Sequence, residues 1–206
     1  MGYFPFFMDL AHKNGLIVGG GTLALRKAEK LLPYGPVLTV VAPRLHPALA
    51  SIPELTLCQR SFSSQDLEQA CFVIAATDDR ALNRSIAALC RERNIPVNVV
   101  DDRDACTFLF PALIQQGSLS VGISTGGASP TAAVWLKEQI LALLPQGLES
   151  TLSWLEDLRP LLKSRFPEEA VRSRRFSQLF SACLDAGGPL SPAELERFLQ
   201  EVSVDG

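Results

Sequence analysis

Residues 16–24 read LIVGGGTLA, and the fold turns on them. Leu16, Ile17 and Val18 make a short apolar run of the kind that fills a strand buried on both faces. Gly19-Gly20-Gly21-Thr22-Leu23-Ala24 follows at once and fits G-x-G-x-x-A. Beyond it, residues 24–32 have helical spacing, with Ala24, Ala28, Leu31 and Leu32 on one face and Arg26, Lys27 and Lys30 on the other. Strand, glycine turn and helix in this order are the context a dinucleotide-binding loop needs. The glycines let the backbone turn tightly and approach a pyrophosphate, and the helix N-terminus offers unpaired N–H groups to the anion. The plain alternative is a strand-to-helix turn that binds nothing.

The same texture continues outward. Strands are expected over 37–42 (VLTVVA), 56–60, 71–77 (CFVIAAT) and 96–100 (PVNVV). A short helix is expected over 63–70, and a longer one over 80–93 with Leu82, Ile86 and Leu89 inward. Continuous apolar strands alternating with amphipathic helices imply a parallel sheet covered on both faces, hence a doubly wound α/β domain of Rossmann type. After Asp104 the pattern changes. Residues 107–114 and 118–124 read as two strands joined by a turn at 115–117. Thr125-Gly126-Gly127-Ala128-Ser129-Pro130 is a second glycine loop, and 131–144 is a helix. The remainder reads as three helices split by Pro167 and by residues 187–189, with Ser191 and Glu194 forming a capping box. Candidate boundaries fall near 106–111 and near Pro145.

Composition narrows the function. With 206 residues, 47% hydrophobic, 20% charged and a formal net charge of -3, the chain is globular and not a strongly basic nucleic-acid binder. Its length allows a core that buries about 70% of the unfolded surface, so no metal or disulfide staple is needed. Five cysteines without a C-x-x-C pair read as a reduced intracellular protein with small core thiols. The two histidines stand near no cysteine pair, so no resident metal is expected. Residues 1–14 lack the basic start of a signal peptide, and no apolar stretch is long enough to span a membrane. The expected location is the cytoplasm. Phe4, Phe6 and Phe7 read as core or edge-strand residues.

Several residues are placed for chemistry. Ala76, Thr77 and Asp78 close the strand over 71–77, where small residues let a cofactor pass. Thr77 and Asp78 also serve as caps for the helix that follows. The acidic residue expected about 20 positions after the glycine loop is missing. Pro43 and Arg44 stand there instead, and Arg44 suits either a 2′-phosphate or NAD itself. Asp101 ends the strand over 96–100, where a carboxylate near a nicotinamide can act as a general base. Asp102 and Asp104 fall beyond the strand. The loop of Thr125, Gly126, Gly127 and Ser129 could form an anion-binding nest. Arg172, Arg174 and Arg175 make a cationic run, read either as a solvated face or as an anion site.

Together these pieces resemble the precorrin-2 dehydrogenase family, which includes the N-terminal half of siroheme synthase. The resemblance lies in YFPFFMDL at 3–10, LIVGGGTLALRKAEKLL at 16–32, VIAATDDRALN at 73–83, NVVDDRDACTFLFPALI at 98–114, VGISTGGASPTAA at 121–133 and RSRRF at 172–176. It implies an NAD-binding Rossmann domain over 1–110, a dimerisation segment over 111–145 and a helical domain over 146–206. It also implies an intertwined homodimer with its site near the subunit junction. The implied reaction is NAD-dependent oxidation of precorrin-2 to sirohydrochlorin, with insertion of ferrous iron (or cobalt) in many members. No methyltransferase half is expected beyond Gly206. Gly19, Gly20, Gly21, Thr22, Leu23 and Ala24 fall on the family's pyrophosphate loop, Pro43 and Arg44 on its adenosine end, and Asp101 on its catalytic aspartate. The resemblance favours NAD over NADP. Thr125 stands where some relatives carry a phosphorylatable serine. A substrate with many carboxylates needs local cations, for which Arg103, Lys137, Arg172, Arg174 and Arg175 are the candidates. A dehydrogenase without iron insertion and a non-catalytic NAD sensor remain alternatives.

Overall fold

A computed structural model describes residues 3–200. The chain forms two compact units that divide between Phe110 and Pro111. In the first unit, five strands lie in the order β3-β2-β1-β4-β5: β1 Asn14–Val18, β2 Val37–Val41, β3 Leu55–Cys58, β4 Phe72–Ala75 and β5 Val97–Val99. Every pair is parallel. Val18 lies opposite both Val41 and Ala75, Val41 opposite Cys58, and Ala75 opposite Val99. The carboxyl ends of all five strands are therefore level. The order reverses between β1 and β4, and a crevice opens at such a switch point.

Alternation along the strands sends side chains to two cores. Leu16, Val18, Val73 and Ala75 join Ile86, Ala87 and Cys90 of helix α2, Arg80–Glu92. Ile17, Val40, Phe72 and Ile74 join Ala24, Ala28 and Leu31 of helix α1, Thr22–Leu31. Because both faces are covered, the strands read as unbroken apolar runs. Each fully buried Leu, Ile, Val or Phe among them stabilises the fold by about 1.5–3 kcal/mol.

Several expectations are corrected. The helix expected over 63–70 is a single 3-10 turn, Ser64–Leu67, held by a Ser63–Asp66 capping box and an Arg60–Asp66 ion pair. Arg60 holds the Asp66 carboxyl below the usual carboxylate range. In α2 Ile86 is buried and Leu82 and Leu89 pack against the same core as expected, and Asn83, Ala87 and Cys90 are buried with them, so the inward face also takes in a polar residue. Residues 107–110 form no strand. Thr107 N–H donates to Val97 O at 2.8 Å, and side chains make the other links: Thr107 Oγ1 takes the N–H of Val97 at 2.8 Å and Asn98 Nδ2 donates to the Phe108 carbonyl at 3.1 Å. Lys27 and Lys30 are not on a wholly solvated face: Lys27 Nζ sits 3.7 Å from the Phe110 ring centre and Lys30 Nζ 5.5 Å. Phe4, Phe6 and Phe7 are 84%, 76% and 77% exposed in an irregular segment, neither core nor strand.

The second unit starts with an antiparallel hairpin, β6 Ala112–Gln116 and β7 Leu119–Ile123. Its turn is Gly117-Ser118 rather than 115–117, because Gln116 pairs with Leu119 and only Gly117 takes positive φ (54°). Helix α3, Pro130–Leu143, packs on the hairpin. Helices α4 Leu148–Arg165, α5 Glu169–Ala186 and α6 Pro192–Gln200 follow, with a core of Leu155, Leu162, Phe166 and Leu179. The Ser191–Glu194 capping box is present.

All five cysteines are free. Burial pushes the Cys90 thiol up to about 11 and raises Cys106 and Cys183 as well. In the native protein a thiol reagent is expected to modify exposed Cys71 first and half-buried Cys58 more slowly. Cys90, Cys106 and Cys183 should react only on unfolding. Mass mapping of the labelled sites before and after denaturation checks this.

Candidate functional site

The crevice at the strand ends is built by three glycines that serve different ends. Gly19 has φ +124°, and a Cβ there would overlap the Ala76 carbonyl. Its N–H donates to Val41 O at 2.9 Å, while Ala76 N–H donates to Val18 O at 2.7 Å. A Cβ on Gly20 would overlap the Arg44 carbonyl, and Gly20 O accepts from His46 N at 2.7 Å. These two glycines let the loops after β1, β2 and β4 close against one another. Gly21 is different. Its φ is -86°, open to any residue, and a Cβ there would meet nothing within 4 Å.

Among the described residues, no packing contact requires glycine at position 21. Helix α1 starts directly after it and has no side-chain cap. An uncapped helix N-terminus beneath open space fits the pyrophosphate of a dinucleotide. Thr22 and Leu23 are exposed on this turn. Ala24 does not reach the crevice; it is fully buried beneath the loop, where its small size lets α1 pack on the sheet. Pro43 and Arg44 are exposed beside Gly20.

After β4 the chain is fixed by a buried asparagine. Thr77 N–H and Oγ1 donate to Asn83 Oδ1 at 3.2 and 2.7 Å, and Asn83 Nδ2 donates to Thr77 O at 2.9 Å. The N-cap of α2 is Asp79, which accepts from the N–H groups of Ala81 and Leu82, so neither Thr77 nor Asp78 caps that helix. Thr77 holds the turn, and Asp78 is exposed beside it. Asn83 is a residue the sequence reading missed, although Asn83, Ile86, Ala87 and Cys90 have the i, i+3, i+4, i+7 spacing of a buried stripe.

Asp101 follows β5 with φ +58°. This left-handed conformation is uncommon outside glycine and is tolerated best by Asn and Asp. The Asp101 turn borders a cavity of about 110 Å³ lined by Arg80, Asn83, Arg84, Val99, Val100, Asp101 and Asp102. Asp102 accepts from Arg84 Nε at 2.7 Å, and that guanidinium holds its carboxyl below the usual range. Lys27 on α1 is the other group the sequence reading passed over. Burial lowers its pKa, Lys30 lowers it further, and Cys106 and Asp101 oppose the shift. Arg103 is exposed, with its guanidinium 5.9 Å from the Tyr3 ring centre.

In the second unit, the loop before α3 has Gly126 and Gly127 at φ 61° and 86°. Thr125 Oγ1 exchanges hydrogen bonds with Ser129 N and O at 3.1 and 3.0 Å, and Ser129 Oγ caps α3 through Ala132 N. Both hydroxyls thus shape the loop. Lys137 is half-buried on α3. The run at 172–175 is not one cationic face. Arg172 donates to the carbonyls of Phe166 and Pro167, and Arg175 lies near the rings of Phe166 and Phe198, leaving Arg174 as its exposed member.

Comparison with known proteins matches residues 6–112 to a family described as putative NAD(P)-binding. Residues 116–143 match a family described as the central segment of sirohaem biosynthesis protein. The siroheme synthase of Thioalkalivibrio sulfidiphilus is 39% identical over 87% of this chain and 37% of its own length. That of Chromobacterium violaceum is 37% identical over 94% of the chain and 40% of its own length. The chain thus spans about two-fifths of the length of these relatives. A solved structure of "SirC, precorrin-2 dehydrogenase" shares the fold, with a TM-score of 0.73 and 24% identity over 98% of this chain and 99% of that one.

Proposed function

Because the chain belongs to the putative NAD(P)-binding family, matched over residues 6–112, we propose that it oxidises precorrin-2 to sirohydrochlorin with NAD. The observation that carries this reading is Asp101, a carboxylate in a left-handed turn on the same level edge as the open space above Gly21. The likeness to siroheme synthases over most of the chain supports the substrate. Gly19, Gly20, Gly21, Thr22 and Leu23 would hold the pyrophosphate, with Pro43 and Arg44 towards the adenosine and Ala76, Thr77 and Asp78 along the crevice floor. NAD, when bound, supplies the acceptor for hydride.

The oxidation removes one hydride and one proton from the macrocycle. Asp101 is the group we assign to the proton, since Asp102 is paired with Arg84. Arg103, Thr125, Gly126, Gly127, Ser129, Lys137, Arg172, Arg174 and Arg175 are the proposed contacts to a polycarboxylate substrate. Arg172 and Arg175 would do so while also holding their helices. Iron insertion is the finer proposal: ferrous ion would be a substrate, and Asp101 would accept pyrrole N–H protons. The decisive experiment is anaerobic. The protein is mixed with precorrin-2 and NAD, and the sirohydrochlorin spectrum is followed before and after ferrous iron is added. Oxidation followed by iron-dependent formation of sirohaem above background supports both steps. Oxidation alone leaves a dedicated dehydrogenase. A folded, NAD-binding protein that oxidises nothing would be a sensor.

The partner we propose is a second copy of the chain. Helix α3 leaves Val134, Trp135, Leu136, Leu141 and Leu143 between 38% and 80% exposed. Exposed apolar patches of this kind mark association surfaces. Trp135→Glu is expected to turn a dimer into a monomer in sedimentation, with the melting of the first unit unchanged. A wild-type protein that sediments as a monomer would sink this assignment. No helix among the described residues is long and apolar enough to cross a membrane, and the cytoplasm is the proposed location.

A further inference from the structure

The turn that carries Asp101 closes around one buried sulfur. Cys106 Sγ accepts from Val99 N–H at 3.1 Å and from Asn98 Nδ2 at 3.5 Å. Its S–H has two acceptors at 3.3 Å, the carbonyls of Val99 and Asp102. These groups flank Asp101, Asn98 and Val99 two to three residues before it and Asp102 directly after. The backbone brackets the turn, with Val100 N–H on Ala75 O at 3.0 Å and Ala105 N–H on Asp102 O at 3.2 Å, but across Asp101 itself Asp102 N–H reaches Val99 O only at 3.5 Å. A second clasp closes the far side, where Asp102 Oδ1 accepts from Ala105 N at 3.3 Å and Oδ2 from Arg84 Nε at 2.7 Å.

We infer that Cys106 is a positioning residue, whose thiol latches the turn and so fixes where the Asp101 carboxylate points. A left-handed aspartate gains nothing from regular structure, and its conformation persists only where the surroundings over-determine it. The sulfur is 9% exposed as a residue and sits in the core on the α2 face, so it cannot be replaced by water without opening that core. Burial raises the thiol pKa, so it stays protonated and keeps its donor. Serine keeps the donor and acceptor in a smaller side chain, and valine supplies apolar bulk, somewhat more than cysteine's, without either. A latch and a packing role therefore predict opposite rescues.

The catalytic part of this inference rests on the proposed dehydrogenase reading; the latch itself does not. The test uses the full chain with Cys106→Ala, Cys106→Ser and Cys106→Val. Amide hydrogen exchange at Asp102 and Ala105 reads the turn, and steady-state oxidation of precorrin-2 reads its effect. Cys106→Ala and Cys106→Val should speed exchange at these amides roughly tenfold or more and lower kcat by about 10- to 100-fold, with KM for NAD within about twofold of wild type. Cys106→Ser should restore both within about threefold. Should Cys106→Ala fail to fold, the contrast between serine and valine still decides. Rescue by valine instead of serine would overturn the latch, as would unchanged exchange in both Cys106→Ala and Cys106→Val. Faster exchange with undiminished kcat would overturn its role in aiming Asp101. A wild-type protein without dehydrogenase activity would overturn the functional reading, while the exchange rates would still decide the latch.

Discussion

Asp101→Asn is expected to lower kcat for precorrin-2 oxidation by about 10²–10⁴-fold, the usual contribution of a positioned general base. Asparagine tolerates the left-handed φ of 58° as well as aspartate does, so the turn should keep its shape. It differs only in lacking the charge that receives a proton. KM for NAD should stay within about twofold, since the loss lies in the chemical step. The neighbouring acids should not compensate. Asp102 is bound to Arg84 and to Ala105 N–H, and Asp104 lies further along the 3-10 turn Arg103–Ala105. Stopped-flow or steady-state spectra of sirohydrochlorin formation under argon, with thermal melting as the control for folding, check this. A variant that keeps wild-type kcat would remove Asp101 from the reaction.

Gly21→Asp should separate binding from stability in opposite directions. The backbone at Gly21 is extended, and its added Cβ has open space. Aspartate is a preferred N-cap, so it would satisfy an N–H of α1 that has no cap now, and the melting temperature should hold or rise slightly. The same carboxylate would occupy the space above the helix and repel a pyrophosphate. NAD affinity should fall about 100-fold or more, equivalent to about 3 kcal/mol. Gly19→Ala is the opposite control. It combines a φ of +124° with overlap against the Ala76 carbonyl, so it should destabilise the sheet itself. Calorimetric NAD titration and melting curves on the two variants read the contrast. Unchanged NAD affinity in Gly21→Asp would show that the glycine loop is only a turn.

The parallel sheet was legible because β1, β2, β4 and β5 are largely buried apolar runs, even though Gly15 lies within β1 and β3 is partly exposed. Residues 16–24 alone carry the strand, the turn and the helix that define the crevice. Burial of polar side chains was not legible. Buried Asn83 looks like a solvated residue in sequence, yet it bonds the Thr77 backbone, and exposed Thr107 likewise uses its hydroxyl on Val97 N–H. Hydrophobic patterning gives no weight to such side-chain bonds, so it leaves Asn83 off the inward face of α2 and extends a strand over 107–110 where none forms. The arginines at 172 and 175 escaped for a related reason. Their stems and guanidiniums lie over Phe166, Phe198 and the α4–α5 connection, a use of cations that composition counts as solvated charge.

The left-handed turn at Asp101 has an evolutionary consequence. It favours a few residue types at that position, and among those without an ionisable side chain glycine and asparagine fit it best. Both alternatives are one base change from an aspartate codon. If Asp101 is the proton acceptor proposed above, drift to either residue would silence the reaction while leaving the sheet, the glycine loop and the cofactor space intact. Lineages released from selection for the chemistry would pass easily into folded, dinucleotide-binding proteins without activity. In a set of related chains, the residue at this one position would sort enzymes from such descendants better than overall similarity would.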